Sequence, residues 1–397
     1  MGLQLKEADL LTPDDSALQA VRRRHELRVL DSLVTHGHRT RRDLETDTKL
    51  SRTTLSAIVG DLRHRGVLTE FDQERIGAAR NGRPTKVLQL NPGAGAAVGI
   101  ELGRRRLSIS VAGFDGSTVA HEHWELTESI DLQGKVQLAA DMLGEMIRAG
   151  RITPETAVGM GVGIASRHAN PNSLSDGEEH QLDPDGATLA PLREALPIPL
   201  LWDNNIRLAA LSYAKASDNV LYVVLAAGVS SAMVVDGAPL RGGNGIAGEM
   251  GHISVDFTGP HCWCGRRGCL ESFLNEASVL TEAANRGQTF ESIAAIAAAA
   301  AAGNEIATAV VAWAGKLLAR ATVGACVLLD PSRVVFAGEL SQFGEQLLTP
   351  VRSALAEQHL GLGPRTTSIT TTPFAPTAGS DGAAQMALKH WAMATLS

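Results

Sequence analysis

His252 and three of the four cysteines fall within eighteen residues, in Gly248-Glu249-Met250-Gly251-His252 and Cys262-Trp263-Cys264-Gly265-Arg266-Arg267-Gly268-Cys269-Leu270-Glu271. Three thiolates and an imidazole are the donor set that a closed tetrahedral Zn²⁺ prefers, so His252, Cys262, Cys264 and Cys269 are the candidate ligands. The two glycines inside the run let a short loop fold its sulfurs onto one ion. Buried free cysteines are the competing reading, but Cys-x-Cys-x4-Cys with glycines inside is poor core packing. Neighbouring Cys-x-Cys positions also bridge badly as a disulfide. His261, beside the first thiolate, is the alternative imidazole.

The segments that must position this loop alternate between strand and helix from about Ala96 onward. Apolar runs at 97–103, 107–111, 158–164, 220–225 and 333–338 read as strands, whereas 132–149, 205–216 and 270–286 carry helical patterning. Residues 291–325 contain a run of six alanines after Ile296. Apolar Ile293, Ile296, Ile306, Val310, Trp313, Leu317 and Leu318 make this stretch packed helix instead of a linker. Two α/β lobes with a cleft between them are the economical architecture.

Ahead of this body the sequence predicts three helices and a wing. Leu27, Leu30, Leu33 and Val34 recur at helical spacing. Thr40 can cap a second helix through Leu44, and Ser51 a third that turns Leu55, Ile58, Val59 and Leu62 inward until Gly66 stops it. Residues 67–71 and 87–90 then alternate as paired strands around a polar stretch, completing a winged helix-turn-helix pattern. That arrangement leaves Arg52, Thr53 and Ser56 outward at the end of the third helix that enters a major groove, with Arg63 farther along for phosphates. Arg80, Arg83 and Lys86 lie on the wing tip, within reach of a minor groove or the backbone. An ordinary solvated charged face is the bland alternative.

Charge distribution agrees with a polyanion partner for the head alone. The 397-residue chain has a net charge of −7, yet residues 16–95 carry 15 Lys/Arg against 9 Asp/Glu, and residues 96–397 carry 20 against 30. With 44% hydrophobic and 20% charged residues, the chain can bury two or three domain cores. No basic leader with an apolar run opens it, and no apolar stretch combines membrane-spanning length with membrane-like flanks. The expectation is a cytoplasmic protein.

The zinc segment with Glu249 and Glu271, the winged head, Gly82-Arg83-Pro84 and Leu90-Asn91-Pro92 together resemble the ROK family of transcriptional repressors and sugar kinases, its regulator branch in particular. The resemblance spans nearly the whole chain. It implies an actin-like, two-lobed ATPase/sugar-kinase body behind the winged helix-turn-helix, with a structural zinc held by His252 and the three cysteines. It also implies that Asn204, Asn205, Glu249, His252 and Glu271 line the position of a sugar-like effector. Glu249 and Glu271 could instead merely brace the zinc loop.

Departures from the family pattern separate regulator from kinase. Family kinases carry an Asn-Asp pair whose Asp is the general base, and the matching segment here is Asp203-Asn204-Asn205. An amide at 205 cannot take a proton, and loss of a positioned base typically costs about 10²–10⁴ in rate. Asp203, two residues back, is expected to point elsewhere. The first phosphate turn reads Glu101-Leu102-Gly103-Arg104-Arg105-Arg106 and the second Ala226-Ala227-Gly228-Val229-Ser230, so the small backbone cradle for a phosphate is eroded in both. Arginines 104–106 could hold phosphate by charge or form a solvated hairpin tip. The glycines at 338, 379 and 382 resemble adenosine-side motifs or are structural. Residues 163–168 replace the usual Pro-Gly-Pro turn over the sugar.

The sequence thus predicts a tail over 1–15, a winged helix-turn-helix over 16–92 and a ROK-type sensing and oligomerising body over 93–397. The expected activity is repression by a DNA-binding homodimer or higher homo-oligomer on an inverted-repeat operator. Its body would sense a sugar-like molecule without phosphorylating it. An ATP-dependent sugar kinase that keeps its DNA-binding head is the alternative.

Overall fold

The computed structural model describes residues 17–72, 86–126, 130–165, 187–214, 218–357, 367–373 and 375–394. They fall into two compact units, one of residues 1–216 with 377–397 and the other of residues 217–376.

In the first unit the head is α1 (Ala17–His36), β1 (Arg39–Thr40), α2 (Arg41–Thr48), α3 (Arg52–His64), β2 (Leu68–Asp72) and β3 (Lys86–Leu90). Local chemistry sets its boundaries. Thr40 and Asp43 form a reciprocal capping box at the start of α2. Ser51 Oγ accepts from Thr54 N at the start of α3, and Gly66, at φ +74°, turns the chain out of that helix. Leu55, Ile58, Val59 and Leu62 face the head core with Val29, Leu30 and Leu33. The side chain of Leu27 lies outside the described residues. β3 pairs antiparallel with β2 and also with β1, a short strand that the sequence did not signal.

The same unit continues through β4 (Ala96–Leu102), β5 (Arg106–Gly113), β6 (Thr118–Glu125), α4 (Leu132–Arg148), β7 (Ala157–Ile164), α5 (Ala190–Ala195), β8 (Leu200–Asn204) and α6 (Asn205–Tyr213). Its sheet runs β6-β5-β4-β7-β8, parallel between β4, β7 and β8 and antiparallel at the β5 and β6 edge.

The second unit opens with β9 (Val220–Leu225), β10 (Val229–Val235) and β11 (Ala238–Pro239). Helices α7 (Leu270–Leu274), α8 (Glu276–Asn285), α9 (Ile293–Ala301) and α10 (Glu305–Leu329) follow, then β12 (Arg333–Ala337), α11 (Gly344–Ala356) and β13 (Ser368–Thr371). Its sheet order is β11-β10-β9-β12-β13, parallel across β9, β12 and β13. The stretch 270–286, expected as one helix, is two. Asn275 leaves the helical backbone at φ −81°, ψ 157°, and its side chain caps α8 through Ser278 N. Helix α10 is long and apolar enough to cross a membrane, but twelve of its residues, between Ala307 and Cys326, are buried in this unit.

The chain returns to the first unit as α12 (Ala378–Ala394). This helix lies so close to the sheet that a Cβ on Gly99 or Gly161 would sit within about 2 Å of the Ser380 or Ala383 carbonyl oxygen, so only glycine fits there. The stretch 379–384 is therefore helix, and Gly382 is a packing residue against Leu208. Toward its other end, Ala384, Ala387 and Leu388 join the apolar core of the head, and Trp391 stacks on Phe114 with ring centroids 4.6 Å apart.

Candidate functional site

The loop ahead of α7 brings the four candidate ligands together. One donor atom each from His252, Cys262, Cys264 and Cys269 lies within 4.8 Å of the others, the one such cluster among the described residues. Cys264 and Cys269 sulfurs are 3.6 Å apart, and His252 Nδ1 is 3.6 Å from Cys262 Sγ. Ligands at about 2.3 Å around a tetrahedral ion stand about 3.8 Å apart, so the donor set fits. His261 is exposed, paired across a bridge with Arg267, and outside the cluster.

Backbone packing explains how so short a loop closes. Ser231 Oγ on β10 accepts from Met250 N and donates to the Gly248 carbonyl, which fixes the turn that presents His252. A Cβ on Gly268 would overlap the Asp256 carbonyl. Burial pushes the thiols of Cys262 and Cys269 up, the latter to about 12. Burial acts the same way on Cys264, but hydrogen bonds from Arg266 and from the other thiols outweigh it and bring that thiol to about 7. A divalent cation bound here would displace these protons, so its affinity depends on pH.

With Nδ1 turned to the thiols, His252 directs Nε2 toward Glu271 Oε2, 3.7 Å away. Burial lowers the His252 pKa and the Glu271 charge opposes that shift. Glu271 Oε2 also accepts from the indole N–H of Trp263 at 2.9 Å. The carboxylate is thus a partner of the candidate ligand, as expected of a residue that orients a metal-bound imidazole. Glu249 is half-buried at the start of the same turn.

Asn204 and Asn205 belong to the first unit, where β8 runs into α6. Asn204 caps α6, its Oδ1 accepting from the Ile206 and Arg207 amides at 2.8 and 3.2 Å. Asp203 is buried and accepts from Arg207 Nε at 2.6 Å and from Asn204 N, which commits it to the turn. Asn205 Nδ2 donates to Glu101 Oε1 at 3.5 Å. Glu101 is buried on β4, and burial raises its pKa against the pull of Arg106, Asn205, the Gly379 amide and Ser108. The 103–106 segment is the hairpin turn between β4 and β5. Arg104 and Arg105 are exposed there, and Lys135 Nζ donates to the Gly103 and Arg104 carbonyls. Residues 166–168 of the segment expected over the sugar lie outside the described residues.

On the head, Arg52, Thr53 and Ser56 are exposed on the first turns of α3. Arg52 Nε pairs with Glu45 at 3.2 Å. Arg63 is exposed near the end of α3. It pairs at 2.7 Å with Glu70, whose largely buried carboxylate also faces Arg41 at 3.4 Å and Lys86 at 3.9 Å. Arg80 and Arg83 lie outside the described residues. Sequence reasoning missed Glu70 as a hub, and it missed Glu101 and Trp263 as partners of candidate site residues. The one signal for Trp263 was its place between two ligands.

A three-helix head with a β2–β3 hairpin, followed by two α/β units of the actin-like ATPase fold, the second carrying a His/Cys₃ cluster, makes up the described architecture. The family model of the ROK family matches residues 97–390, and the chain belongs to that family. A solved ROK family transcriptional regulator, homologous to the Escherichia coli MLC protein, shares the fold with a TM-score of 0.74 at 21% identity, over 95% of this chain and 99% of its own. The ROK hexokinase from Thermus thermophilus matches at a TM-score of 0.60 and 22% identity, over 74% of this chain and 98% of its own. Among curated relatives, the xylose repressor of Caldicellulosiruptor bescii is 23% identical over 84% of this chain and 88% of its own length. The DNA-binding transcriptional dual regulator NagC of Escherichia coli is 26% identical over 82% of each.

Proposed function

We infer that the chain is a DNA-binding transcriptional regulator, acting as a repressor, that senses a sugar or sugar-like molecule without phosphorylating it. The observation that carries this reading is the extent of the likeness. The solved regulator aligns over 95% of the chain and the solved hexokinase over 74%. The head outside the family-matched body has the capped α3 that a reader of the major groove needs. In this reading residues 16–92 bind an inverted-repeat operator through Arg52, Thr53, Ser56, Arg63, Arg80, Arg83 and Lys86. Residues 93–397 sense the effector through Asn204, Asn205, Glu249, His252 and Glu271. The protein works in the cytoplasm as a homodimer or higher homo-oligomer, since a symmetric operator is met by a symmetric protein.

Zn²⁺ is the metal this donor set favours, because three thiolates and one imidazole leave no open position. Its chemistry is structural, cross-linking the loop that carries Glu249 and Glu271. His252, Cys262, Cys264 and Cys269 hold it, and Glu271 orients His252 through Nε2.

The non-enzymatic reading rests on Asn205 and Asp203. The first is an amide engaged with Glu101, and the second is a carboxylate committed to Arg207. An amide cannot take a proton, and the carboxylate is held by the guanidinium of Arg207. Coupled ADP release with a panel of hexoses, run beside a thermal-shift screen of the same sugars, tests it. A sugar that stabilises the chain without ADP release is the expected result. ATP-dependent phosphorylation at ordinary kinase rates would establish the kinase instead.

A further inference from the structure

We propose that Trp263 is a specificity-determining residue of the effector site, its indole meeting the apolar C–H face of a bound sugar ring. The inference rests on the reading that Glu249, His252 and Glu271 bind the effector, and it deepens that reading by adding a residue that sets specificity.

Trp263 is the residue between the first two cysteines, and 66% of its surface is exposed. A single exposed apolar side chain is ordinary on a protein surface. This one is nevertheless held in a defined place. Its N–H donates to Glu271 Oε2 at 2.9 Å, and its ring meets His252 edge-on, with centroids 4.8 Å apart and planes at 80°. The loop that carries it is closed by backbone packing at Gly268 and by the donor cluster. The indole is therefore pre-organised, which lowers the entropy lost on binding.

The chemistry beside the ring is that of a hydroxyl reader. Glu271 offers two carboxylate oxygens. Oε2 takes the indole proton, and Oε1 lies against Gly228, where a Cβ would sit 2.6 Å from it and displace it. Gly228, a remnant of the eroded second phosphate turn, therefore serves to seat this carboxylate. Half-buried Glu249 and His252 stand on the adjoining turn. An apolar aromatic surface beside carboxylates suits a ligand with one apolar face and hydroxyls at its edge. A pyranose chair has that shape. An alditol shares its hydroxyls but must freeze several torsions to present a comparable face.

The test is a titration of the full-length, zinc-analysed protein with aldoses, their methyl pyranosides and the matching alditols, read by tryptophan emission and thermal shift. Wild type should prefer each pyranoside to its alditol. Trp263→Ala should lose roughly tenfold or more in pyranoside affinity, and the preference over alditol should collapse. Trp263→Phe keeps a ring without the N–H. It should retain zinc and most of the pyranoside preference, while the ligand-induced change in indole emission disappears. Unchanged pyranoside affinity in Trp263→Ala would overturn the proposal while leaving the effector reading intact. If the alanine variant loses zinc, an undiminished emission response in Trp263→Phe overturns it equally. Failure of every sugar to bind wild type would remove the effector reading and this inference with it.

Discussion

Restoring a carboxyl at position 205 should not restore a catalytic base, and the reason lies on β4. Asn205 Nδ2 is 3.5 Å from Glu101 Oε1, and Glu101 is buried with its pKa already raised. Two ionised carboxylates about 4 Å apart at an effective dielectric near 20 repel by about 4 kcal/mol. That corresponds to roughly three pKa units. In Asn205→Asp the two groups should hold one proton between them at neutral pH and titrate as a pair. Acids whose folded-state pKa is raised favour folding fully below their unfolded values and lose that contribution as pH rises through the folded value. Asn205→Asp should therefore stay close to wild type near pH 4 and lose stability toward pH 8, by up to about 4 kcal/mol. Urea denaturation across that range, applied to wild type, Asn205→Asp, Glu101→Gln and the double variant, isolates the coupling. The double variant should lose the added pH dependence, and ADP release from Asn205→Asp should remain at background. Parallel stability profiles for wild type and Asn205→Asp would refute the reasoning.

Two further outcomes follow from the loop and the head. Purified protein should carry about one zinc per chain by metal analysis, and Cys264→Ser should strip it. Because closed sites of this kind contribute ~10–16 kcal/mol of apparent binding free energy, the variant should unfold around 249–271 and lose its effector response; an equally stable, zinc-loaded variant would contradict the ligand set. Arg52→Ala should relax sequence preference at one operator position, costing roughly ten- to a hundredfold there. Glu70→Gln should release Arg41, Arg63 and Lys86 and strengthen DNA binding, steepening the salt dependence by about 0.9 in log–log slope per added phosphate contact. An unchanged slope by fluorescence anisotropy would place those cations away from DNA.

Local chemistry was the legible part of this fold. Thr40 and Ser51 announced α2 and α3 because a cap is a contact over three residues. The buried strands β4, β7, β9 and β12 announced themselves as short apolar runs. β6 was missed because it is an edge strand whose residues alternate between exposed and partly buried, with His121, Glu122, His123 and Glu125 along its second half. The break at Asn275 was hidden by helical patterning on both sides, since only the capping geometry separates α7 from α8. The clustering of His252 with Cys262, Cys264 and Cys269 was legible from residue type and spacing. The pairing of Asn205 with Glu101 joins residues 104 apart in sequence, and Glu70 gathers cations from α2, α3 and β3. Neither leaves a periodic or compositional trace.

The central claim is that a sugar-responsive body controls a DNA-binding head without consuming its ligand. Its most direct test is one titration of the full-length protein on a duplex enriched by it from a randomised pool. The stabilising sugar and ATP–Mg²⁺ are added while DNA anisotropy and ADP are read together. The account predicts an enriched inverted repeat with half-sites whole helical turns apart. Sugar should change its affinity by about 5–150-fold, the usual range of allosteric coupling, and ADP should stay at background. Absence of any enriched sequence, or ADP accumulating in step with the sugar, would contradict it.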